Sequence, residues 1–437
     1  MLELAKYLET FIPFKDEFLP EKKQIHQKIW GKKKFNDKNV RYLLTDLTRL
    51  VERYLSVRSL ESDEIYSNHK LSEELIRRNH EKAFNQVYRS SKESLLKQSS
   101  RSSEYYLLQF QNEHNQYIFD ATKKKRTTKS NLENVLSNLD QFFLAKKLQL
   151  SCEIFNVQNV LSVTYNAFLL EEILSYLKEH PYRQTPAIAI YYQIIMTLRE
   201  GQNEEHFHEL QRLLKLHEKK FSREDLFDMY KYAQNYCIKQ INLGNPAYQK
   251  TLLDTYKIIL KNGVLVHTGT ITQWSYKNVA TVSLRQGEYD WAKNFITKYK
   301  DFLLPEEREN AYSYNLANYY FHKGEMDEAL KTLQKVSFTD PYYQLDTRSM
   351  MLKIYFEMNE YDVFFYHATA FLTYLRRNTK ISEYQKTIYT NLVKYTSKIM
   401  RAGHDKKRIS VVKKQIEEVK QIADLNWLRK KVEMKLA

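Results

Sequence analysis

The chain has 437 residues, a formal net charge of +16 and a hydrophobic fraction of 43%. That fraction excludes wholesale disorder, and a chain of this length is expected to form two domains or one elongated array. Only eight glycines and seven prolines occur, which favours helices joined by short loops, because sheet-rich folds need more turn glycine.

The two cysteines, Cys152 and Cys237, lie far apart in the sequence. This usage is typical of a reduced compartment and excludes a disulfide framework or a cysteine-rich metal site. The N-terminus shows no basic leader followed by an apolar run, and no stretch approaches the ~20 apolar residues of a membrane span. We therefore expect a soluble, cytoplasmic protein.

Residues 1–125 are predicted to form an N-terminal helical region. Its clearest element is a helix capped by Asn36 or Asp37 and running from Val40 to Val57. The helix carries a wide apolar stripe, formed by Leu43, Leu44, Leu47, Leu50, Val51, Tyr54 and Leu55. The basic run at residues 123–126 is predicted to be the loop after this region.

From Leu132 onward the pattern indicates successive helix pairs, and residues 126–403 are predicted to form one array. The clearest pair spans Ala311 to Pro341. Gly324 separates its two helices, and Asp340 is predicted to close the second, because a residue before proline disfavours the helical conformation. The facing stripes are Tyr314, Ala317, Tyr320 and Phe321 on the first helix, and Ala329, Leu330, Leu333 and Val336 on the second.

The turn of this pair recurs along the sequence. Its residues 324–327 are repeated upstream at 287–290 and downstream at 359–362. Asn359 replaces glycine in the downstream copy, and asparagine also tolerates a left-handed backbone. Gly244 and Gly201 separate further, more divergent pairs.

Residues 273–375 resemble tetratricopeptide repeats, because a small residue, an aromatic residue, the turn glycine, a second small residue and a closing proline occur at that family's spacing. These are Ala317, Tyr320, Gly324, Ala329 and Pro341. The resemblance implies an all-α solenoid of antiparallel helix pairs in a right-handed superhelix. It also implies a concave groove that binds other macromolecules and performs no chemistry.

By the same resemblance, the first helix of each pair supplies the residues that face a ligand. They are Lys277, Asn278 and Thr281, then Tyr314, Asn315 and Asn318, then Ser349, Met350 and Lys353. Amides can hold an extended peptide backbone, and lysines can meet an acidic group. Tyr314 is alternatively a packing residue, and the asparagines are alternatively solvated. Charge reversal at Lys277 and Lys353 is expected to weaken binding and to leave stability unchanged.

The family's site for C-terminal carboxylates of chaperone tails is not expected here. Lys277 and Asn315 fit its pattern, whereas Thr281, Asp346 and Met350 depart from it. An acidic side chain where a cation is needed should repel a carboxylate, so only a generic peptide groove is predicted.

Residues 404–437 are predicted to form a basic capping helix, with an apolar stripe that includes Ile409, Val412 and Val419. A basic surface is predicted here from Lys406, Lys407, Arg408, Lys413, Lys414, Lys430 and Lys431. Such a helix could follow a phosphate backbone. The alternative is that lysine-rich faces keep a helical array soluble.

No catalytic constellation is found in the sequence. The glycines are scattered singly, so no phosphate loop is predicted. His206 and His208 are two residues apart and point to different sides of a helix, so they cannot chelate a metal together. We expect a non-enzymatic scaffold without cofactor or metal, which binds a segment of a partner protein. The alternative is a nucleic-acid-associated protein.

Overall fold

The computed structural model describes residues 1–12, 19–123, 130–160, 165–182, 184–266, 268–337, 340–419 and 421–437. Every regular element within these ranges is a helix, which confirms the predicted all-α class. The chain divides into two compact units, Met1–Ile195 with Lys219–Phe221 and Met196–Glu218 with Ser222–Ala437. The predicted boundary at 125/126 lies outside the described residues, and the division into residues 1–125, 126–403 and 404–437 stays a prediction.

The first unit is built from helices α1 to α9, the last of which runs past Ile195 into the second unit. They are α1 Leu2–Glu9, α2 Lys22–Trp30, α3 Asp37–Ser62, α4 Glu64–Arg77, α5 Glu81–Lys97, α6 Ser103–Thr122, α7 Leu132–Val160, α8 Leu170–Glu179 and α9 Pro186–Arg199.

Helix α3 begins as the sequence predicts, because the Asn36 side chain accepts a hydrogen bond from the backbone of Asn39. Its first half packs on α1 and α2, where Val40 joins Leu4 and Ile25 in a small apolar cluster. Along its second half the apolar stripe is exposed to solvent, at Leu50, Val51, Tyr54 and Leu55.

The second unit continues with helices α10 to α21. They are α10 Glu204–His217, α11 Arg223–Asn242, α12 Tyr248–Lys261, α13 Gln273–Arg285, α14 Tyr289–Tyr299, α15 Pro305–Lys323, α16 Met326–Leu333, α17 Pro341–Glu357, α18 Tyr361–Arg377, α19 Glu383–Ala402, α20 Lys406–Glu418 and α21 Leu425–Leu436.

The three recurring turns adopt the same backbone motif. Gly287, Gly324 and Asn359 have φ angles of 74°, 83° and 57°. In each turn the next residue, a glutamate, donates its N–H to the carbonyl five positions back, at 2.9–3.1 Å. This is the Schellman arrangement that ends a helix with a left-handed residue. The predicted equivalence of Asn359 and the glycines is therefore confirmed.

The pair α15 and α16 crosses at the predicted small residues, since Ala317 and Ala329 are fully buried. The predicted end of the second helix is wrong: α16 stops at Leu333, before Val336. Asp340 instead begins α17, accepting the N–H groups of Tyr342 and Tyr343, with proline in the first turn. Asp-Pro here signals the start of a helix rather than the end of one.

The single C-terminal helix predicted for residues 404–437 is also wrong, because α20 and α21 are separate helices. Between them Val419 is extended and Asp424 has a left-handed backbone, with φ 49°. Helix α19 makes two hydrogen bonds to the backbone between them. Ile388 O accepts from Ala423 N at 3.1 Å, and the Asn391 amide donates to Gln421 O at 2.8 Å.

None of the described helices is both long enough and apolar enough to cross a bilayer.

Candidate functional site

The predicted ligand-facing residues lie on three consecutive first helices, α13, α15 and α17. We call the surface that these three helices form the first-helix face; it includes the nine predicted residues, with Arg285 at the end of α13 and Glu357 at the end of α17. Five of the nine predicted residues are buried: Tyr314, Asn315, Asn318, Ser349 and Met350. The others are partly exposed: Lys277, Asn278, Thr281 and Lys353.

Two buried amides of the first-helix face donate hydrogen bonds, one within α15 and one to α13. The Asn315 amide donates to Ala311 O within α15 at 2.8 Å. The Asn318 amide donates to the Thr281 hydroxyl of α13 at 3.4 Å. These amides therefore serve the protein's own helices in this structure.

Tyr314 of α15 meets Tyr343 of α17 edge to face, with ring centroids 5.7 Å apart. Its burial raises the pKa of its hydroxyl well above the usual value. The contact agrees with the alternative interpretation of Tyr314 as a packing residue between neighbouring helix pairs.

Lys277 forms an ion pair across the first-helix face. Its Nζ lies 2.5 Å from Asp346 Oδ2, and only 15% of the side chain is exposed. The other carboxylate oxygen of Asp346 accepts the Tyr389 hydroxyl at 2.8 Å. Asp346 is predicted from the sequence to repel ligand carboxylates, whereas in the structure it neutralises Lys277.

Lys353 is paired in the same way, with a carboxylate from the C-terminal segment. Its Nζ lies 2.6 Å from Asp424 Oδ2, and Arg285 Nη2 lies 3.1 Å from Oδ1. Burial alone would raise the pKa of Asp424, but Lys353 and Arg285 lower it to about 2. Asp424 is therefore ionised at neutral pH. Charge reversal at Lys353 is thus expected to destabilise the protein, contrary to the expectation of unchanged stability.

His322, at the end of α15, lies beside these charges. Its burial, together with the nearby Lys353 and Arg285, lowers the pKa of the imidazole to about 4. A neutral ring avoids adding a third cation to the cluster.

A second contact joins α21 to α17. The Trp427 indole N–H donates to Glu357 Oε1 at 3.0 Å, and Lys431 Nζ lies 2.6 Å from Glu357 Oε2. The Trp427 ring meets Phe356 edge to face at 5.5 Å. Residues 424–431 thus contact α17 through one carboxylate, one indole and one ammonium group.

The predicted basic surface is only partly available to a partner. Lys431 is held by Glu357 with 14% of its side chain exposed. On α20, lysines separated by seven residues share one face, which holds Lys406, Lys407, Lys413 and Lys414. Glu417 and Glu418 follow one turn later on that face and offset part of its charge.

A cavity of about 290 Å³ lies in the first unit, between α5, α6 and α7. Its lining is rich in amides, from Gln109, Asn112, Asn134 and Asn138. Glu113 also lines the cavity, and its carboxylate accepts from the Tyr88 hydroxyl at 3.0 Å and from the Asn131 amide at 2.9 Å.

The histidines and cysteines considered as catalytic or metal-binding residues do not lie on the first-helix face. His206 and His208 lie 3.3 Å and 4.0 Å from different glutamates, Glu200 and Glu204. Within the described residues no three potential metal ligands converge. Burial raises the pKa of the Cys237 thiol to about 12 and that of Cys152 well above its usual value, so neither forms a thiolate at neutral pH.

Comparison with protein-family models, with curated proteins and with solved structures found no match to this chain. The many helix pairs that pack together are compatible with a helical repeat.

The contacts of Asp346, Asp424 and Trp427 were not predicted from the sequence. One sequence feature could have predicted the separate helix α21: an aspartate before a helical run, here Asp424, is a typical N-cap and indicates that a new helix begins there.

Proposed function

We propose that this protein is a non-catalytic scaffold that binds a segment of a partner protein on the first-helix face. One observation carries the proposal. That face already holds a polypeptide segment, residues 424–431 of the chain itself, through Lys353, Arg285 and Glu357. A surface that orders one segment by ion pairs and an indole hydrogen bond has the chemistry to order another.

The proposal includes a tetratricopeptide-like solenoid with the first helices on its concave side. Three features support it: the shared turn motif, the buried alanines at the crossing of α15 and α16, and the repeated order of helix and turn from α13 to α18. Side chains on successive first helices then form one continuous binding surface.

The test is a nuclease-treated pull-down from the native host with three baits. Arg285 lies at the end of α13 with 45% of its side chain exposed. Arg285→Glu should lose the partner, because it turns a cation of the face into an acid. Lys331→Glu is the matched control: it makes the same charge change at a 71% exposed lysine on the second helix α16.

Partner proteins retained by wild type and by Lys331→Glu, and lost with Arg285→Glu at unchanged helicity, support the scaffold. Equal retention by all three baits would remove the first-helix face from the proposal.

The second candidate is nucleic-acid binding, favoured by the four lysines on one face of α20. Its affinity for duplex DNA should fall with salt, with a log–log slope of about −0.9 per phosphate neutralised. Lys406→Glu together with Lys407→Glu should abolish that binding. A flat salt dependence would exclude it.

A further inference from the structure

The start of helix α21 departs from ordinary helix chemistry. Asp424 occupies the N-cap position, yet its side chain accepts no capping hydrogen bond, and its backbone is left-handed. An aspartate N-cap usually stabilises its helix, and a left-handed backbone is unfavourable for a residue other than glycine. Backbone strain of this kind persists where the surroundings enforce it, often at functional sites.

The carboxylate that fails to cap α21 is used on the first-helix face. It lies between Lys353 Nζ at 2.6 Å and Arg285 Nη2 at 3.1 Å. Among the described residues Asp424 is the only carboxylate within ion-pair distance of either cation. The face thus presents a cationic subsite that needs an acid from outside α13, α15 and α17.

A second subsite lies one helical turn further along. Phe356 contacts the Trp427 ring, and Glu357 accepts its N–H. Asp424 at the N-cap and Trp427 in the first turn of α21 thus contact Lys353 and Glu357, which lie four residues apart on α17. The next two apolar positions, Leu428 and Val432, are buried in the core of this part of the unit.

We infer that this surface is a recognition site for a partner helix, and that α21 occupies it in the free chain as an intramolecular competitor. The partner helix carries a carboxylate, a large aromatic residue with an N–H donor three residues later, and aliphatic residues four and eight positions after the carboxylate. Asp424, Trp427, Leu428 and Val432 supply that pattern within the chain. The inference rests on the proposed scaffold function and specifies its partner.

An intramolecular segment competes at an effective concentration in the millimolar range. A partner therefore binds the free chain weakly and binds more tightly when α21 is released. The same surface would then hold α21 in the free chain and bind the partner helix when α21 is released.

The experiment measures this competition by fluorescence anisotropy. The probe is a labelled synthetic peptide of residues 421–437, and the host is the full chain. In one host Asp424→Asn and Trp427→Ala weaken the resident segment. This host should bind the probe at least 10-fold more tightly than the wild-type chain. A probe with asparagine in place of its aspartate should bind at least 10-fold more weakly.

Adding Lys353→Met to the weakened host should abolish binding of the native probe, because the cationic subsite loses its central ammonium group. A scrambled peptide of the same composition controls for charge. Equal binding of the native, asparagine and scrambled probes would overturn the inference, as would an absence of probe binding to a host that keeps its helicity.

Hydrogen exchange on the wild-type chain tests the inference without any substitution. If α21 competes, its amides should exchange through a local opening, faster than those of α15 and α19. Exchange of all three helices only through global unfolding would make α21 a permanent part of the core and refute the competition. Should the peptide experiment fail while the pull-down still retains partners, the scaffold stands and the self-competition does not.

Discussion

Helices α3 and α21 both carry an apolar stripe, but most of the α3 stripe is exposed to solvent and the α21 stripe is buried. Helix α3 has 26 residues, of which Val40 alone is fully buried, and the second half of its stripe faces solvent. Helix α21 has 12 residues and buries Leu428 and Val432 in a cluster shared with α17 to α20. An apolar stripe predicts a helix, but whether that stripe is covered depends on residues elsewhere in the chain.

The largest expected difference comes from one substitution made in both helices. Leu428→Gln puts an amide at a fully buried position and should destabilise the protein by about 3–4 kcal/mol. Leu55→Gln, at a position that is 56% exposed, should change stability by less than about 0.5 kcal/mol. Glutamine and leucine have similar helix propensities, so urea unfolding reports burial alone. Equal losses would show that the α3 stripe is covered.

The next effect is a pH dependence near α21 that α3 lacks. A histidine in the unfolded chain has a pKa near 6.5, whereas the pKa of His322 in the folded protein is about 4. Burial and the cations Lys353, Arg285 and Lys430 lower this pKa, and Asp424 raises it only in part. The unfolded state thus holds more protons between these values, and stability falls as the pH falls from about 6.5 to 4, by up to about 3 kcal/mol.

His322→Gln should flatten this part of the urea midpoint curve. Helix α3 contains no histidine, so its amide exchange should show no matching step. A wild-type curve that is already flat between pH 6.5 and 4 would contradict the burial of His322.

A smaller effect is expected from the Asp424 carboxylate. Because the folded pKa of about 2 lies below the ordinary 3.8, its stabilisation is complete above about pH 4 and is lost as the pH falls through 2. The shift corresponds to about 2 kcal/mol, which Asp424→Asn should remove at neutral pH. Asp46→Asn on α3 is the control, since Asp46 is 60% exposed and should contribute less than about 0.5 kcal/mol.

The smallest predicted effect comes from the indole of Trp427. Trp427→Phe keeps an aromatic ring but removes the N–H donated to Glu357 together with the pyrrole part of the indole, and the lost hydrogen bond should cost about 1 kcal/mol. Tyr54→Phe removes an exposed hydroxyl of α3 and should leave the thermal midpoint unchanged. If both variants melt like the wild type, the indole hydrogen bond is not formed in solution.

Local features of the second unit could be predicted from the sequence. The left-handed turns at Gly287, Gly324 and Asn359 follow from backbone chemistry that only glycine and asparagine accept readily. The small residues Ala317 and Ala329 indicated where two helices cross. Such signals depend only on residues close in sequence, so they are visible before any tertiary contact is known.

The contacts of the candidate site depend on distant residues. Lys277 and Asp346 are 69 positions apart, and Lys353 and Asp424 are 71 apart. The resemblance placed both lysines on one face, but nothing local indicated that the chain neutralises them itself. Asp346 stands out in the sequence as an acid on that face, but its pairing with Lys277 depends on the fold that brings α13 and α17 within reach of each other.

The two lysine–aspartate pairs also carry an evolutionary consequence. A substitution that removes either acid leaves a mostly buried ammonium group without its partner, which lowers the stability of the protein. Loss of the acid at 346 or 424 should therefore persist in a lineage only when position 277 or 353 changes as well. Descendants of this sequence should vary at these positions in linked steps, and a lineage that keeps Lys353 without an acid at 424 should have acquired another binding partner for that charge.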